Sequence, residues 1–246
     1  MTLIELAKKY VEEHIAADFH SKRLASLQSL RLEAILKRKN PYLFRAKAIV
    51  SAPEFVKQLL LAHLSSQEET LFGIFLEDLA IAICEHAYGG KKSTTEGIDL
   101  EFEREQTRYI VSIKSGPHWG NSSQIAKMVQ NFDRARRIAG TRVHVIAVNG
   151  CCYGKDNNPA KKGNYFKLCG QDFWHLISGD PLLYQEIVEP LGYQAKLRND
   201  EFEDAFGRLH TRFTAEFTQH FCRPDAAIDW DKIVALNSAA AALWHP

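Results

Sequence analysis

Residues 98–116 read IDLEFEREQTRYIVSIKSG, a pattern that predicts two antiparallel β-strands joined by a short polar turn. Asp99 stands at the start of the first strand, and Lys114 ends the second strand inside an otherwise apolar run. A desolvated lysine ammonium is costly unless it has a partner, and the turn brings Asp99 across to it. An Asp and a Lys side by side at strand ends suit a hydrolytic site, in which the carboxylate holds a divalent metal and the amine helps to activate water.

This hairpin resembles the motif of the PD-(D/E)XK nuclease superfamily. The resemblance implies that Asp99 binds Mg²⁺ together with the backbone carbonyl of Ile113, and that Lys114 positions or deprotonates the attacking water. The sequence departs from the motif where Ile98 replaces the proline and where Ser112 replaces the second acid. A serine hydroxyl is a weak ligand for a hard cation. Ser112 is kept as a candidate catalytic residue, and a carboxylate from elsewhere has to supply the missing charge.

One candidate for this carboxylate lies upstream of the hairpin. Residues 68–83 are predicted to be helical, with Ser65 or Ser66 as the N-cap and Gly89-Gly90 as the stop. Glu77 lies on this helix among apolar neighbours. Many members of the superfamily carry a metal-binding or water-binding glutamate on this helix, so the resemblance implies that Glu77 is a catalytic residue and a metal ligand. From the residues alone, Glu77 could equally be an exposed helix residue.

The first strand of the hairpin offers a second candidate, Glu101. Residues Asp99, Glu101 and Glu103 alternate, so their side chains share one face of the strand. That face could simply be the solvent face, which is the interpretation we favour for Glu103. Glu101 therefore remains a possible source of the missing carboxylate.

The segment after the lysine is predicted to be a loop followed by a helix over residues 121–139. Asn121 or Ser122 can cap this helix and Gly140 ends it. Helix N-termini of this kind offer free backbone N–H groups to a phosphate. Gln124 is a candidate site residue close to Lys114, although a capping role in the first turn is an equally good interpretation.

The loop itself, together with Phe72-Gly73 and Asp172-Phe173-Trp174, resembles Type II restriction endonucleases, in particular a branch that acts on GC-rich interrupted palindromes. The resemblance covers roughly residues 65–180. In the loop after Lys114, the candidate contacts to DNA near the cleaved phosphodiester bond are Ser115, His118, Trp119 and Asn121. In the long polar loop over residues 149–164, they are Lys155, Asn157, Asn158, Lys161 and Lys162. Trp119 could equally be a packing residue, and the long loop could be a mobile surface loop.

The overall composition bounds the class of protein. The 246 residues carry a net charge of only +1, but residues 87–170 contain 14 Lys and Arg against 7 Asp and Glu, so basic charge is concentrated around the proposed site. Five cysteines without a CxxC pair, no signal peptide and no apolar run near 18 residues favour a reduced, cytoplasmic protein. The resemblance to restriction endonucleases implies that the cell is prokaryotic. We expect the cysteines to be small core residues.

Helix and strand signals along the chain predict an α/β, restriction-endonuclease-like mixed sheet flanked by helices. We expect a helical segment over residues 1–66 that serves as a dimerisation or DNA clamp, a nuclease core over 67–178, and a helical segment over 179–246. A capping box at Ser51-x-x-Glu54 opens one helix, and apolar runs predict strands over 143–148 and 165–169.

These features and the resemblance together predict a Type II restriction enzyme of a restriction-modification system. It would hydrolyse double-stranded DNA at specific sites with Mg²⁺ and act as a homodimer, because a palindromic site has two-fold symmetry. A cognate methyltransferase would act on the same site. The alternatives are a repair or mobile-element nuclease of the same superfamily, a catalytically inactive DNA-binding protein on the same fold, and an unrelated soluble helical protein in which Asp99 and Lys114 form a structural ion pair.

Overall fold

The computed structural model describes residues 1–140, 142–192 and 195–240. The chain divides into two compact units, Met1–Ala16 with Phe72–Tyr193 and Ala17–Leu71 with Gln194–Pro246. The first unit contains the sheet, and the described elements of the second unit are helical.

The strands are β1 (Lys91–Lys92), β2 (Leu100–Arg104), β3 (Thr107–Lys114), β4 (His144–Cys151), β5 (Lys161–Lys162) and β6 (Tyr165–Cys169). They form one six-stranded sheet in the order β1-β2-β3-β4-β6-β5. The central strands β3, β4 and β6 run parallel, and the outer strands are antiparallel to their neighbours. The predicted mixed α/β sheet flanked by helices is confirmed.

The helices are α1 (Leu3–His14), α2 (Ser21–Ser29), α3 (Leu32–Leu36), α4 (Pro41–Ala46), α5 (Ala52–Tyr88), α6 (Ser122–Ala139), α7 (Gln171–Ser178), α8 (Leu183–Glu186), α9 (Val188–Leu191), α10 (Ala195–Phe221) and α11 (Trp230–Ser238), with a π-helical segment at Ile15–His20. No helix in the described part of the chain is long and apolar enough to span a membrane.

The predicted hairpin is formed by β2 and β3, with Leu100 opposite Val111. Its turn residues, Glu105 and Gln106, both have positive φ angles of 52° and 61°, as a tight hairpin turn requires. The pairing continues one residue beyond β2, because the N–H of Asp99 donates to the carbonyl of Val111 at 2.8 Å. The hairpin therefore holds the backbone of Asp99 against the final residues of β3.

Both faces of the sheet are covered by apolar side chains. Val111 and Ile113 of β3 pack in a cluster with residues of α1, α5 and α7, including Leu79 and Trp174. Ile110 points to the opposite face and joins a smaller cluster around Phe132 of α6. This alternation along β3 explains why the strand reads as almost continuously apolar, since it is buried on both sides. Lys114 is half-buried at its end.

The prediction of a separate helix capped by Ser65 or Ser66 is wrong, because both serines lie inside the single helix α5. The hydroxyl of Ser66 donates to the carbonyl of Ala62 at 3.2 Å, a bond that a serine can make within a helix without ending it. The predicted ends are confirmed: α5 begins at Ala52, directly after Ser51, and ends at Tyr88, before Gly89 with its φ of 66°.

The helical unit has its own core. Phe55 of α5 stacks on Phe217 of α10 with 4.7 Å between ring centroids, and Leu59, Leu60 and Phe213 are buried around them. The functional division into residues 1–66, 67–178 and 179–246 stays a prediction. In the structure, residues 1–16 group with the sheet unit, and residues 17–71 group with the C-terminal helices.

Candidate active site

Asp99 and Lys114 lie together at the end of the hairpin. The Oδ2 atom of Asp99 is 3.6 Å from Nζ of Lys114, and the two side chains are 22% and 30% exposed. The same oxygen accepts hydrogen bonds from the N–H of Ile113 at 2.6 Å and from the hydroxyl of Ser112 at 3.3 Å. The carboxylate is therefore fixed in position while the pair stays open to an approaching substrate.

Two further contacts define where the lysine side chain lies. Its Nζ atom donates to the carbonyl of Ile113 at 2.7 Å, and it lies 5.4 Å from the centroid of the Trp119 ring. A cation over an aromatic face is attracted by the ring's quadrupole. The Ile113 carbonyl, which the resemblance implies to be a metal ligand, thus accepts a hydrogen bond from the lysine.

Glu77 approaches this pair from helix α5. Burial raises the pKa of Glu77 above its ordinary value and the negative charge of Asp99 raises it further, whereas Lys92 and Lys114 act in the opposite direction. Lys92 lies 3.7 Å from Glu77 and 3.3 Å from Asp78. The charges of Asp99 and Glu77 therefore act on each other at the end of the hairpin.

The close approach of α5 depends on Gly73, one helical turn before Glu77. A β-carbon added at Gly73 would lie 2.5 Å from the hydroxyl oxygen of Ser115, the residue that follows Lys114. The helix and the strand end thus lie in direct contact at this point. Gly73, which belongs with Phe72 to the resemblance, therefore lies against the residue that follows Lys114.

The oxygen atoms at this site are of the kind that Mg²⁺ prefers. Mg²⁺ keeps several waters and needs only one or two protein carboxylates, which Asp99 and Glu77 can supply with the Ile113 carbonyl beside them. Ser112 is buried and directs its hydroxyl to Asp99. Within residues 1–140, 142–192 and 195–240, no group of three or more His, Cys, Asp or Glu side chains suited to a metal ion occurs.

The second carboxylate candidate, Glu101, is occupied elsewhere. It is buried and binds the side chains of Ser93 and Arg108. Burial acts to raise the pKa of Glu101, but the hydrogen bonds from Ser93 and Arg108 outweigh it and keep the pKa below its ordinary value. Glu103 is exposed, as expected for a residue on the solvent face. Glu77 therefore fits the missing acid better than Glu101 does.

The loop after Lys114 leads into α6 through a capping box. The side chain of Asn121 accepts from the N–H of Gln124 at 3.1 Å, and the side chain of Gln124 accepts from the N–H of Asn121 at 2.9 Å. Asn121 is thus the N-cap, and Gly140 ends the helix with a φ of 79°. The structure places Gln124 as a capping residue, and its role at the site stays a prediction. His118 is exposed, and Ser115 is half-buried.

The indole of Trp119 makes a contact that the sequence did not indicate. Its N–H donates to the side-chain oxygen of Asn149 at 3.0 Å, and the amide nitrogen of Asn149 lies 3.3 Å from the carbonyl oxygen of Ser112. Asn149 is 1% exposed. An asparagine directly after the apolar run 143–148 is the available signal, but the polar residues that follow it predict a loop from Asn149 onward, whereas β4 includes this residue.

The prediction of one continuous loop over residues 149–164 is wrong at both ends, because β4 continues to Cys151 and the short strand β5 is formed by Lys161 and Lys162. Asp156 organises the remainder: its carboxylate accepts from the backbone N–H of Asn158 at 3.0 Å and lies 3.2 Å from both Lys162 and Lys167. Hydrogen bonds from Asn158, followed by those from the two lysines, hold the pKa of Asp156 well below its ordinary value. Asp156 and Lys167 were not predicted as site residues.

The side chains predicted to contact DNA therefore fall into two groups. Asn158 and Lys162 bind Asp156. Lys155, Asn157 and Lys161 are exposed, as is Asn158. The loop lines a cleft of about 670 Å³, together with the beginning of α7. Lys155 and Asn157 lie in this lining.

The family model of Type II restriction endonuclease EcoO109I matches residues 5–199 of this sequence. The chain belongs to this family. The EcoO109I family is one of the PD-(D/E)XK type II restriction enzymes, so the resemblance of the hairpin is confirmed. Members are nucleases that hydrolyse DNA, and the family generally uses Mg²⁺. No curated protein matches the chain.

All five cysteines are free thiols. Cys84, Cys151, Cys152 and Cys222 are buried, as the sequence predicted, and Cys169 is half-buried. Burial raises the pKa of both Cys84 and Cys151 to about 12, which keeps these thiols protonated. They serve as small apolar residues of the core.

Proposed function

We propose that this member of the EcoO109I family is a Mg²⁺-dependent endonuclease that cuts double-stranded DNA at specific sites. The observation that carries the proposal is the pairing of Asp99 with Lys114 at 3.6 Å on the hairpin, with Glu77 approaching from α5. The carboxylates supply metal ligands and the lysine supplies a cation, which are the groups that phosphodiester hydrolysis requires. Both members of the pair are partly exposed, so a DNA strand can reach them.

Lys114 would act on the attacking water. Its ammonium lies between the carboxylate of Asp99 and the backbone carbonyl of Ile113, so it is held next to the proposed metal ligands. From there the ammonium can orient the nucleophile by donating a hydrogen bond to it, and it can offset the charge that develops on the phosphate. Only the neutral amine form of Lys114 could accept the proton of the water. The N–H of Ile113 keeps the carboxylate of Asp99 in place. Asp99 would in turn position the lysine and serve as a metal ligand.

Asp99, Glu77 and the carbonyl of Ile113 would hold Mg²⁺. A bound Mg²⁺ supplies Lewis-acid polarisation of the phosphate and lowers the pKa of bound water. Because Lys114 donates to the Ile113 carbonyl at 2.7 Å, the lysine has to share this oxygen or turn away from it when the ion binds.

DNA binding would use the basic surface around the site. The exposed side chains of Lys155, Asn157 and Lys161 suit phosphates and base edges, and the anchoring of the loop by Asp156 keeps them in a defined arrangement. Ordered side chains of this kind are needed to read a sequence. His118 and Ser115 lie beside the catalytic pair in the chain and would contact DNA near the cut.

We further propose that the enzyme works as a homodimer in the cytoplasm of a prokaryotic cell. A two-fold symmetric dimer matches a palindromic site and lets each subunit cut one strand. In a restriction-modification system, a cognate methyltransferase would protect the same site in the host DNA.

The deciding experiment is incubation of the purified protein with plasmid and phage DNA, in Mg²⁺ and in EDTA, followed by gel electrophoresis. Discrete fragments that appear only with Mg²⁺ are expected, and mapping their ends gives the recognition site. Lys114→Ala and Asp99→Ala should abolish cutting while DNA binding persists. Lys9→Ala is the matched control, because Lys9 is an exposed lysine of the same unit paired with Glu13 on α1.

Each other outcome points to an alternative. A smear of fragments indicates a nuclease without site specificity, such as a repair or mobile-element enzyme. Binding without cleavage in any divalent metal indicates a DNA-binding protein that has lost activity, with Ser112 as the origin of the loss. Cutting by Lys114→Ala at the wild-type rate removes the lysine from the mechanism.

A further inference from the structure

Asn149 has a buried side-chain amide whose oxygen and nitrogen both form hydrogen bonds. Its oxygen accepts the indole N–H of Trp119 at 3.0 Å, and its nitrogen donates to the carbonyl of Ser112 at 3.3 Å. Ser112 and Asn149 are direct partners in the parallel pairing of β3 and β4. A strand residue buried to this degree is ordinarily apolar, because a buried amide is costly unless it is hydrogen-bonded.

The indole that Asn149 holds is the one that faces the lysine. Trp119 packs on the apolar cluster around Phe132, and its ring lies 5.4 Å from Nζ of Lys114. Trp119 belongs to the loop between β3 and α6, where regular backbone pairing does not fix a side chain. The hydrogen bond to Asn149 therefore sets the orientation of the ring, and the ring limits where the ammonium can lie.

We propose that Asn149 is a positioning residue that acts through Trp119 to keep the Lys114 ammonium at the cleavage site. The inference rests on the proposed function, since it concerns the same lysine. It assigns a task to Trp119 other than the predicted contact with DNA, and it explains a buried amide that the hydrolytic chemistry does not itself need.

The contacts of the lysine show why such support is useful. Its ammonium has two competing acceptors, the Asp99 carboxylate at 3.6 Å and the Ile113 carbonyl at 2.7 Å, and both are proposed metal ligands. A flexible lysine could follow either oxygen and leave the position from which it reaches the nucleophile. A misplacement of about 1 Å in a reacting group can reduce a rate by about 100-fold.

The test compares Asn149→Ala, Trp119→Phe and Trp119→Ala by single-turnover cleavage and by DNA affinity measured in EDTA. Asn149→Ala should lower the cleavage rate by about 10-fold to 100-fold, while DNA affinity changes by less than about threefold. Trp119→Phe keeps an aromatic ring at this position but loses the indole N–H, so it should resemble Asn149→Ala. In the Trp119→Ala background, Asn149→Ala should cause no further loss, because the two residues act in series.

A stability control separates positioning from general destabilisation. Ser178→Ala removes a buried hydroxyl of the same unit that donates to the carbonyl of Trp174 at 2.6 Å, far along the chain from the lysine. It should lower the melting temperature as Asn149→Ala does and leave the cleavage rate unchanged. Equal rates for the Ser178→Ala and Asn149→Ala proteins would overturn the inference, as would losses from Asn149→Ala and Trp119→Ala that multiply in the double variant.

A spectroscopic measurement tests the arrangement without any cleavage. The four tryptophans give separate indole N–H signals in a ¹H–¹⁵N spectrum, and Trp119→Phe identifies the signal of Trp119. That signal should shift in Asn149→Ala and in Lys114→Met, whereas the signal of Trp174 should stay in place. An unmoved Trp119 signal overturns the inference even if the enzyme cuts DNA. If the two variants show these shifts but the wild-type protein cuts no DNA, the proposed function is overturned instead.

Discussion

Replacement of Gly73 by alanine tests how closely α5 has to approach the end of β3. The added β-carbon would lie 2.5 Å from the hydroxyl oxygen of Ser115 and 3.9 Å from its β-carbon. Gly73 precedes Glu77 by one turn, so both lie on the same face of the helix. We expect Gly73→Ala to displace the helix or the serine and to move Glu77 relative to Asp99.

The expected size of the effect follows from two opposing contributions. Alanine in place of glycine inside a helix stabilises by about 1 kcal/mol, and an overpacked contact costs about 1–3 kcal/mol. Gly73→Ala should therefore range from neutral to about 2 kcal/mol destabilising. In a Ser115→Ala background the remaining contact of 3.9 Å is ordinary, so the same substitution should stabilise by about 1 kcal/mol. The coupling between the two substitutions should be about 1–3 kcal/mol.

Thermal and urea denaturation of the four proteins in the cycle provide the assay. One kcal/mol corresponds to a change in melting temperature of about 2–4 °C for a chain of this size. Gly207→Ala in α10 is the control, because a β-carbon there meets no described atom within 4 Å, and it should stabilise equally in both backgrounds. Cleavage should fall in Gly73→Ala and recover to the level of Ser115→Ala in the double variant. Equal stabilisation by Gly73→Ala with and without Ser115 would refute the reasoning.

Three further predictions concern charge. Because the pKa of Glu77 is raised in the folded protein, its charged form destabilises the fold above that pKa and has no such effect below the ordinary value of 4.5. In EDTA, Glu77→Gln should therefore unfold at a higher temperature than wild type at pH 8, and this difference in melting temperature should vanish by pH 4. Mg²⁺ should stabilise the wild type more than the variant. A difference in melting temperature that stays constant across pH would contradict this. The pKa of Asp156 is lowered, so its carboxylate is charged above pH 4 and pairs with Lys162. Asp156→Ala should break this ion pair and make the loop more sensitive to limited proteolysis above pH 4. Unchanged proteolysis would argue against an anchoring role. If Lys161 contacts a phosphate, Lys161→Ala should reduce the slope of log affinity against log salt by about 0.9, and an unaltered slope would place this lysine outside the DNA interface.

The sequence predicts correctly those elements whose start, end or turn depends on residues close together in the chain. The β2–β3 hairpin, the Asn121 cap of α6 and the stops at Gly89 and Gly140 each depend on neighbouring residues and side-chain types. The break expected at Ser65-Ser66 does not occur, because a serine can satisfy its hydroxyl inside a helix as well as at its start. Local patterns cannot distinguish these two uses when apolar residues continue on both sides.

The sequence by itself determined the hairpin and the pairing of Asp99 with Lys114, because strand register follows from a short turn and the alternation of side chains. Only the tertiary structure shows which second acid lies near this pair and which side chains surround the lysine. Glu77 reaches the pair because Gly73 lets a distant helix contact Ser115, and Asn149 reaches Trp119 across a parallel strand pair. Contacts of this kind depend on how separate elements pack, and no spacing along the chain encodes that geometry.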